Sequence, residues 1–405
     1  MTPPPAVLRV VRHPALRRGR EILLATDDET LELQAAICRI PAPSGQEGRR
    51  AAFVAQRLRA LGLQDVRLDE VGNVVARWGG TSSGAVVVAA HLDTVFGPDV
   101  DLAVQRNGSR MVGPGISDNA RGLVGLLALA RATSETGWET ERPIVFAATV
   151  GEEGEGNLRG VHYLLGPQGV SAAAVIALDG AGLDRVVHRA LGSRRFRVTY
   201  QGPGGHSWAA YGVPNPAHAI GRFTAGVAEL PRPLKPRSSC SVVRFQGGTG
   251  ITSIPALAWA EVDARSEDAG ALEAMQTGLR ALASDALQTE NRRRAQGTPS
   301  LELAIEMIGE RPAGATASTD PLVRAAVDAT RAVGRGPELA AASTDANVAI
   351  ALGIPAIALG AGGMAGNTHL PTEWYDNAGG PEGLFRVLLV LAAAAGLRTP
   401  GSSER

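Results

Sequence analysis

Lysine is all but missing from this 405-residue chain: Lys235 stands alone, and arginine supplies the rest of the 40 basic charges. With abundant Ala, Gly and Pro, this reads as a genomic composition bias and not as chemistry. Forty acidic residues cancel the basic ones, so no net field is left to draw nucleic acid or an anionic membrane, and small molecules are the expected partners. Cysteine is equally scarce. Cys38 and Cys240 stand far apart, which argues against a disulfide framework or a thiolate metal site and suits a reducing cytoplasm. Long apolar runs are absent too: Leu384–Leu397 falls short of the roughly 18 residues that span a bilayer and reads as a buried terminal helix. The first twenty residues mix Pro3, Pro4 and Pro5 with Arg9, Arg12, Arg17, Arg18 and Arg20, without an apolar core ahead of a small-residue cleavage site, so no secretory signal is expected.

What is present points to two domains, since 405 residues exceed the size at which a single core stops growing. In the first half, buried strands alternate with helices. Val86–Ala90, Ile144–Val150 and Ala173–Leu178 read as strands, and Asn119–Arg131 and Leu158–Leu165 as helices, the first capped by Ser117 or Asp118. This rhythm predicts an α/β fold with a mostly parallel sheet flanked by helices. From Arg194 the pattern changes to strands such as Phe196–Tyr200, Ala256–Ala264 and Leu301–Ile308 around helices near Pro216–Leu230 and Ala271–Asn291, an inserted α+β domain. The βα pattern then resumes through helices Leu322–Val333 and Asp345–Leu352 and strand Ile354–Leu359. The expected division is 1–191 and 311–405 for a catalytic domain and 192–310 for the insert.

In an open parallel sheet, ligands bind beyond the carboxyl ends of the strands. Here those ends run into His91-Leu92-Asp93, Gly151-Glu152-Glu153, Asp179-Gly180 and a glycine-rich loop carrying His369, while Asp118 joins from the head of a helix. Each residue alone has an ordinary explanation as a cap or loop residue. Their joint placement at one edge does not. Two histidines with three carboxylates form a mixed nitrogen and oxygen set that suits zinc, with manganese or cobalt as alternatives. Five ligands are too many for one open catalytic zinc but suffice for two metals that share a carboxylate, for which Asp118 is the candidate. Asp93 shares a strand face with His91 and can fix its ring. Of the adjacent Glu152 and Glu153, one must ligate while the other stays free to take a proton.

These residues resemble the M20 family of metallopeptidases, the clan of peptidase T, carboxypeptidase G2, aminoacylase and succinyl-diaminopimelate desuccinylase. The matching motifs are Pro43-Ser44-Gly45-Gln46-Glu47, His91-Leu92-Asp93-Thr94-Val95, Gly115-Ile116-Ser117-Asp118-Asn119, Gly151-Glu152-Glu153-Gly154, Gly205-His206-Ser207 and Asn367-Thr368-His369. The resemblance implies that His91, Asp118 and Asp179 bind one divalent metal and Asp118, Glu153 and His369 the other, with Glu152 the general base and Asp93 supporting His91. It implies a phosphorylase/hydrolase-like catalytic domain with a ferredoxin-like lid that often forms homodimers. In them His206 reaches the partner's site and stabilises an oxyanion, and the Asp118–Asn119 peptide is cis. It also implies that Arg265, in Glu261-Val262-Asp263-Ala264-Arg265, grips a substrate carboxylate. Thr252 departs from the pattern, standing where the family usually has an asparagine that contacts substrate. Asp at position 179, where deacylases and carboxypeptidases tend to carry Glu, favours a peptidase acting on short peptides as an aminopeptidase, dipeptidase or tripeptidase. The rival expectations are an N-acyl amino acid deacylase or carboxypeptidase of the same family and, from another class, an inactive metal-binding scaffold.

Overall fold

Val86, Val87 and Val88 are β-branched and buried on both sides, which makes Ala85–His91 the natural centre of a covered sheet. The structure, a computed structural model, describes residue 7, residues 10–231 and residues 236–398; Pro3, Pro4, Pro5, Arg9 and Lys235 lie outside these. The chain divides into two compact units, Met1–Ala190 with Ala315–Arg405, and Leu191–Gly314.

In the first unit the strands run in the order Gln64–Leu68, Val74–Trp78, Ile144–Thr149, Ala85–His91, Ala172–Leu178, Ala356–Leu359 and Arg185–Ala190, with Glu338–Ala342 also pairing with the last. The four central strands are parallel. Their register is level at the carboxyl end, since His91 stands opposite Thr149 and Leu178 opposite Leu359. Alternate side chains enter different cores. Val86, Val88 and Ala90 pack with residues of helices Asp27–Cys38, Gly48–Ala60, Ala120–Glu135 and Gly380–Ala395, while Val87 and Ala89 pack with residues of Arg159–Leu164 and Ala346–Ala351. Gly380–Ala395 is apolar nearly all round and buried along most of its length, as its sequence predicted. No helix among the described residues is long and apolar enough to cross a membrane.

The second unit follows the order β-α-β-β-α-β of a ferredoxin-like fold: Gly192–Gln201, Pro216–Ala228, Ser238–Gly247, Leu257–Ser266, Ala269–Arg292 and Glu302–Arg311. Its four-stranded antiparallel sheet has Ser238–Gly247 and Glu302–Arg311 at the edges. Val262 opposite Phe196, Ala260 opposite Val198 and Ala258 opposite Tyr200 form the inner rows, packed on the helices through Phe223, Leu279 and Ala283. The alternate rows carry charge: Arg197 and Arg244 both bond the buried Glu261. The chain leaves and re-enters the first unit side by side, with Thr316 N–H donating to the His188 carbonyl at 2.9 Å.

Phe146 lies in a central strand with no exposed surface. Phe146→Ala should cost about 3–5 kcal/mol in urea unfolding of the metal-free protein; a loss below about 1 kcal/mol would mean that this strand is not at the centre of the core.

Candidate metal centre

His91 closes its strand and is 3% exposed. Its Nδ1 lies 3.1 Å from the Asp93 carbonyl and 3.6 Å from Asp93 Oδ1, both acceptors, so a neutral ring carries its proton there. The Nε2 lone pair then faces Asp118 Oδ1 at 3.1 Å. That oxygen is buried and, with the ring neutral, has no hydrogen-bond donor among the described residues. Two lone pairs held so close repel unless a cation or a proton lies between them. Donors sharing one zinc-like ion at bond lengths of about 2.0–2.2 Å stand about 3 Å apart, so the arrangement fits a divalent metal.

The other Asp118 oxygen, Oδ2, is 3.1 Å from His369 Nε2, which also lies 3.2 Å from Glu153 Oε1. Ligand atoms of His91, Asp118 and Glu153 fall within 4.8 Å of one another. Asp118 therefore stands between two groups, one imidazole at each oxygen. Asp179 follows the strand Ala172–Leu178, and the charges it feels most are those of Asp118, His91 and Glu153.

The turn that bears Asp118 is fixed from several sides. The Asp118–Asn119 peptide is cis, as the resemblance implied. Asn119, and not Ser117 or Asp118 as expected, caps helix Ala120–Glu135 by accepting from Gly122 N–H at 3.0 Å. The correction has a plain cause: the Asp118 carboxylate faces the two histidines and leaves the cap to its neighbour. Asn119 Oδ1 also accepts from Gly180 N–H at 3.1 Å, and its amide donates to the Leu178 carbonyl at 2.9 Å, which ties the Asp118 turn to the Asp179 turn. Glu373, with no exposed surface, accepts from Ser117 and Asp118 N–H at 2.7 and 2.8 Å. It follows His369 by four residues, so the loop that presents one histidine also braces the shared carboxylate. Sequence reasoning missed it. Its only signal was that short spacing.

Asp93 does more than support His91. Its Oδ1 accepts from Glu152 N–H and its Oδ2 from Glu153 N–H, both at 2.9 Å, and Ser44 Oγ donates to Oδ2 at 2.5 Å. Glu152 and Glu153 are themselves 4% and 8% exposed, so both are kept away from bulk water.

Without a cation the cluster attracts protons. Burial raises Asp179 to about 7, helped by Asp118 nearby. Burial also works on Asp118 and Asp93, but the histidines hold Asp118 well below the usual range, and His91 with Ser44 brings Asp93 to about 2. Asp118 and Glu153 raise His369 to about 10. Burial opposes the charge on His91, yet Asp118 and Asp93 carry it well above its ordinary value.

His206, Thr252 and Arg265 belong to the second unit. His206 pairs with Ser253 in a two-residue ladder, and Ser207 N–H donates to the Thr252 carbonyl at 2.8 Å, so these two sites adjoin. His206 is exposed, and its Nδ1 accepts from Trp208 and Ala209 N–H at 3.2 and 3.3 Å. Arg265 is not with them. It lies near the far end of strand Leu257–Ser266, about 26 Å from Leu257 at some 3.3 Å per residue, and its Nε donates to Asp263 Oδ2 at 2.7 Å.

A histidine and carboxylate cluster at the carboxyl edge of a parallel sheet is the arrangement of a metal-dependent hydrolase. Residues 87–395 match Peptidase family M20/M25/M40, and the chain belongs to that family of peptidases and amidohydrolases. Succinyl-diaminopimelate desuccinylase of Corynebacterium glutamicum is 28% identical to it over 258 residues, 62% of this chain and 68% of that protein. Aminopeptidase PepT of Bacillus cereus superposes with a TM-score of 0.72 at 20% identity, over 93% of this chain and 99% of that one. The YXEP protein of Bacillus subtilis, described as a dinuclear metal binding peptidase, gives a TM-score of 0.65 at 17% identity, over 93% and 99%. At these identities the two structures speak for the fold alone.

Because protons and metal compete for the same atoms, binding of Zn2+ or Mn2+ near pH 7 should displace the protons of His91 and His369 and part of that on Asp179. Affinity should therefore rise from pH 6 to 8, and calorimetry in buffers of different ionisation heat should show on the order of two protons released. A binding heat that does not depend on the buffer would place the metal elsewhere.

Proposed function

We propose that this chain hydrolyses an amide bond in short peptides, as an aminopeptidase, dipeptidase or tripeptidase. The observation that carries the reading is Asp118 between His91 and His369, each of its oxygens 3.1 Å from one imidazole. In this reading His91, Asp118 and Asp179 hold one divalent cation and Asp118, Glu153 and His369 a second, zinc foremost, with manganese or cobalt as alternatives. Bound there, such a pair supplies Lewis acidity that polarises a carbonyl oxygen and acidifies water.

The protein's own groups do the rest. Glu152, buried and close enough to His91 to act on its charge, takes a proton from the attacking water and passes it to the leaving nitrogen. Asp93 accepts the backbone N–H of both glutamates and so fixes the peptide planes from which Glu152 and the ligating Glu153 project. His206 uses Nδ1 as an acceptor, so its neutral ring presents an exposed Nε2–H donor suited to a developing oxyanion. Thr252, adjoining it, is the candidate hydroxyl for a substrate contact. With Arg265 on the substrate carboxylate, the family resemblance assigns His206 to the site of a second copy, and the placement of Arg265 near the far end of strand Leu257–Ser266 from Leu257 is consistent with that. That geometry supports a homodimer through the lid. Free Cys38 and Cys240 suit a reducing cytoplasm as its location.

One observation favours a second reading, an N-acyl amino acid deacylase: the likeness to the desuccinylase. Asp at position 179 supports the peptidase. A metal-reconstituted screen of free dipeptides, tripeptides and N-succinyl or N-acetyl amino acids should show turnover of free peptides; release of acyl groups alone would select the deacylase. On the best substrate, Glu152→Gln should lower kcat by about 10²–10⁴-fold with metal content intact, and an active Glu152→Gln would remove the proposed base.

A further inference from the structure

Glu152 and Glu153 are sequence neighbours with different proposed tasks, so the orientation of the peptide planes around them decides which side chain meets a cation and which serves as base. Three consecutive N–H groups fix those planes. Glu152 and Glu153 N–H go to the two oxygens of Asp93. The third, Gly151 N–H, goes to Glu47 Oε1 at 3.0 Å. Glu47 is 3% exposed and lies at the head of helix Gly48–Ala60, remote in sequence from the turn it holds. Its Oε1 also accepts from Gly45 N–H at 2.9 Å, and Arg159 Nη2 donates to both of its oxygens at 2.8 and 2.9 Å. Arg159 in turn donates through Nη1 to the Val71 carbonyl at 3.2 Å.

The turn is closely packed and leaves no room for a side chain at Gly151 or Gly156. Gly151 adopts φ 65°, and a Cβ there would lie 2.7 Å from Arg159 Cγ and Nε; a Cβ on Gly156 would lie 2.5 Å from Gly151 Cα. Asp93 is two residues from His91 and so ties the turn to the strand end. Glu47 ties the entry of the same turn to a different element. Without it, Gly151 is the one peptide of the three with no carboxylate holding it, and glycine is the residue best able to swing.

We infer that Glu47, held by Arg159, is a positioning residue that sets which of the two adjacent glutamates serves as base and which as ligand. The inference rests on the proposed roles of Glu152 and Glu153. Glu47 touches neither substrate nor metal in this scheme; it acts through the backbone of Gly151.

The test compares Glu47→Ala, Glu47→Gln and Arg159→Ala with Glu152→Gln on the best substrate of the peptide and acyl amino acid screen, alongside hydrogen exchange of residues 147–157. Glu47→Ala should lower kcat by about 10–100-fold with KM nearly unchanged, and exchange should quicken in this segment while the rest of the chain keeps its protection. Glu47→Gln keeps an acceptor for Gly151 N–H and should recover most of the loss. Arg159→Ala should fall between the two. Parent-like kcat in Glu47→Ala would overturn the inference, and so would faster exchange along the whole chain or a Glu47→Gln variant as poor as the alanine. Should Glu47→Ala fail to fold, the other two variants decide: local loosening with reduced kcat in Arg159→Ala supports the inference, and unchanged kcat and exchange there refute it. Activity in Glu152→Gln would instead remove the proposed base, and with it the premise taken from the function proposed above, whatever Glu47 does.

Discussion

Burying several carboxylates together is costly unless positive charge is delivered to the same place. Asp118, Glu153 and Asp179 crowd one edge of the sheet, where among the described residues His91 and His369 are the cations paired with Asp118 and Glu153, and neither imidazole is bonded to Asp179. The fold around them is arranged to keep this imbalance in place. Level strand ends bring the carriers together, and Asn119 links two of the turns. Glu373 adds another buried carboxylate, raised to about 7 by burial, to hold the Asp118 backbone. A site so short of positive charge is built to take it from outside.

The surroundings use arginine differently. Arg50, almost fully buried, donates to the Leu92 carbonyl at 2.7 Å and to the Ile40 carbonyl, bracing the strand end that carries His91. Arg121 spans from its helix to the Ala361 and Gly380 carbonyls and lies over the Tyr375 ring. They satisfy backbone acceptors in loops that cannot form regular ladders, and the planar guanidinium does this from one fixed position.

Much of the architecture was legible because burial writes a strong signal. Continuous apolar strands announced the parallel sheet, and the residues just past them announced the edge where chemistry gathers. Short edge elements were not legible. Glu338–Ala342 reads Glu-Leu-Ala-Ala-Ala, a helix former by composition, yet pairs as a strand on Arg185–Ala190 because the tertiary setting outweighs propensity. Ser238–Gly247 is half-exposed and polar, with no clear alternation to mark it. In the site, residue types were readable but their orientation was not. The His91 tautomer, the cap at Asn119 and the bracing by Glu373 depend on contacts between segments far apart in sequence, which no local pattern encodes.

The paired connections at His188 and Thr316 carry a consequence for descent. An insert whose two ends lie next to each other asks little of the domain that hosts it, so the insert can change while the host strands stay as they are. The cluster of His91, Asp118 and Glu153 and the inserted unit are thereby separately heritable parts of one chain. Sequence change within such a lineage would accumulate in the insert more readily than in the strands that carry the cluster.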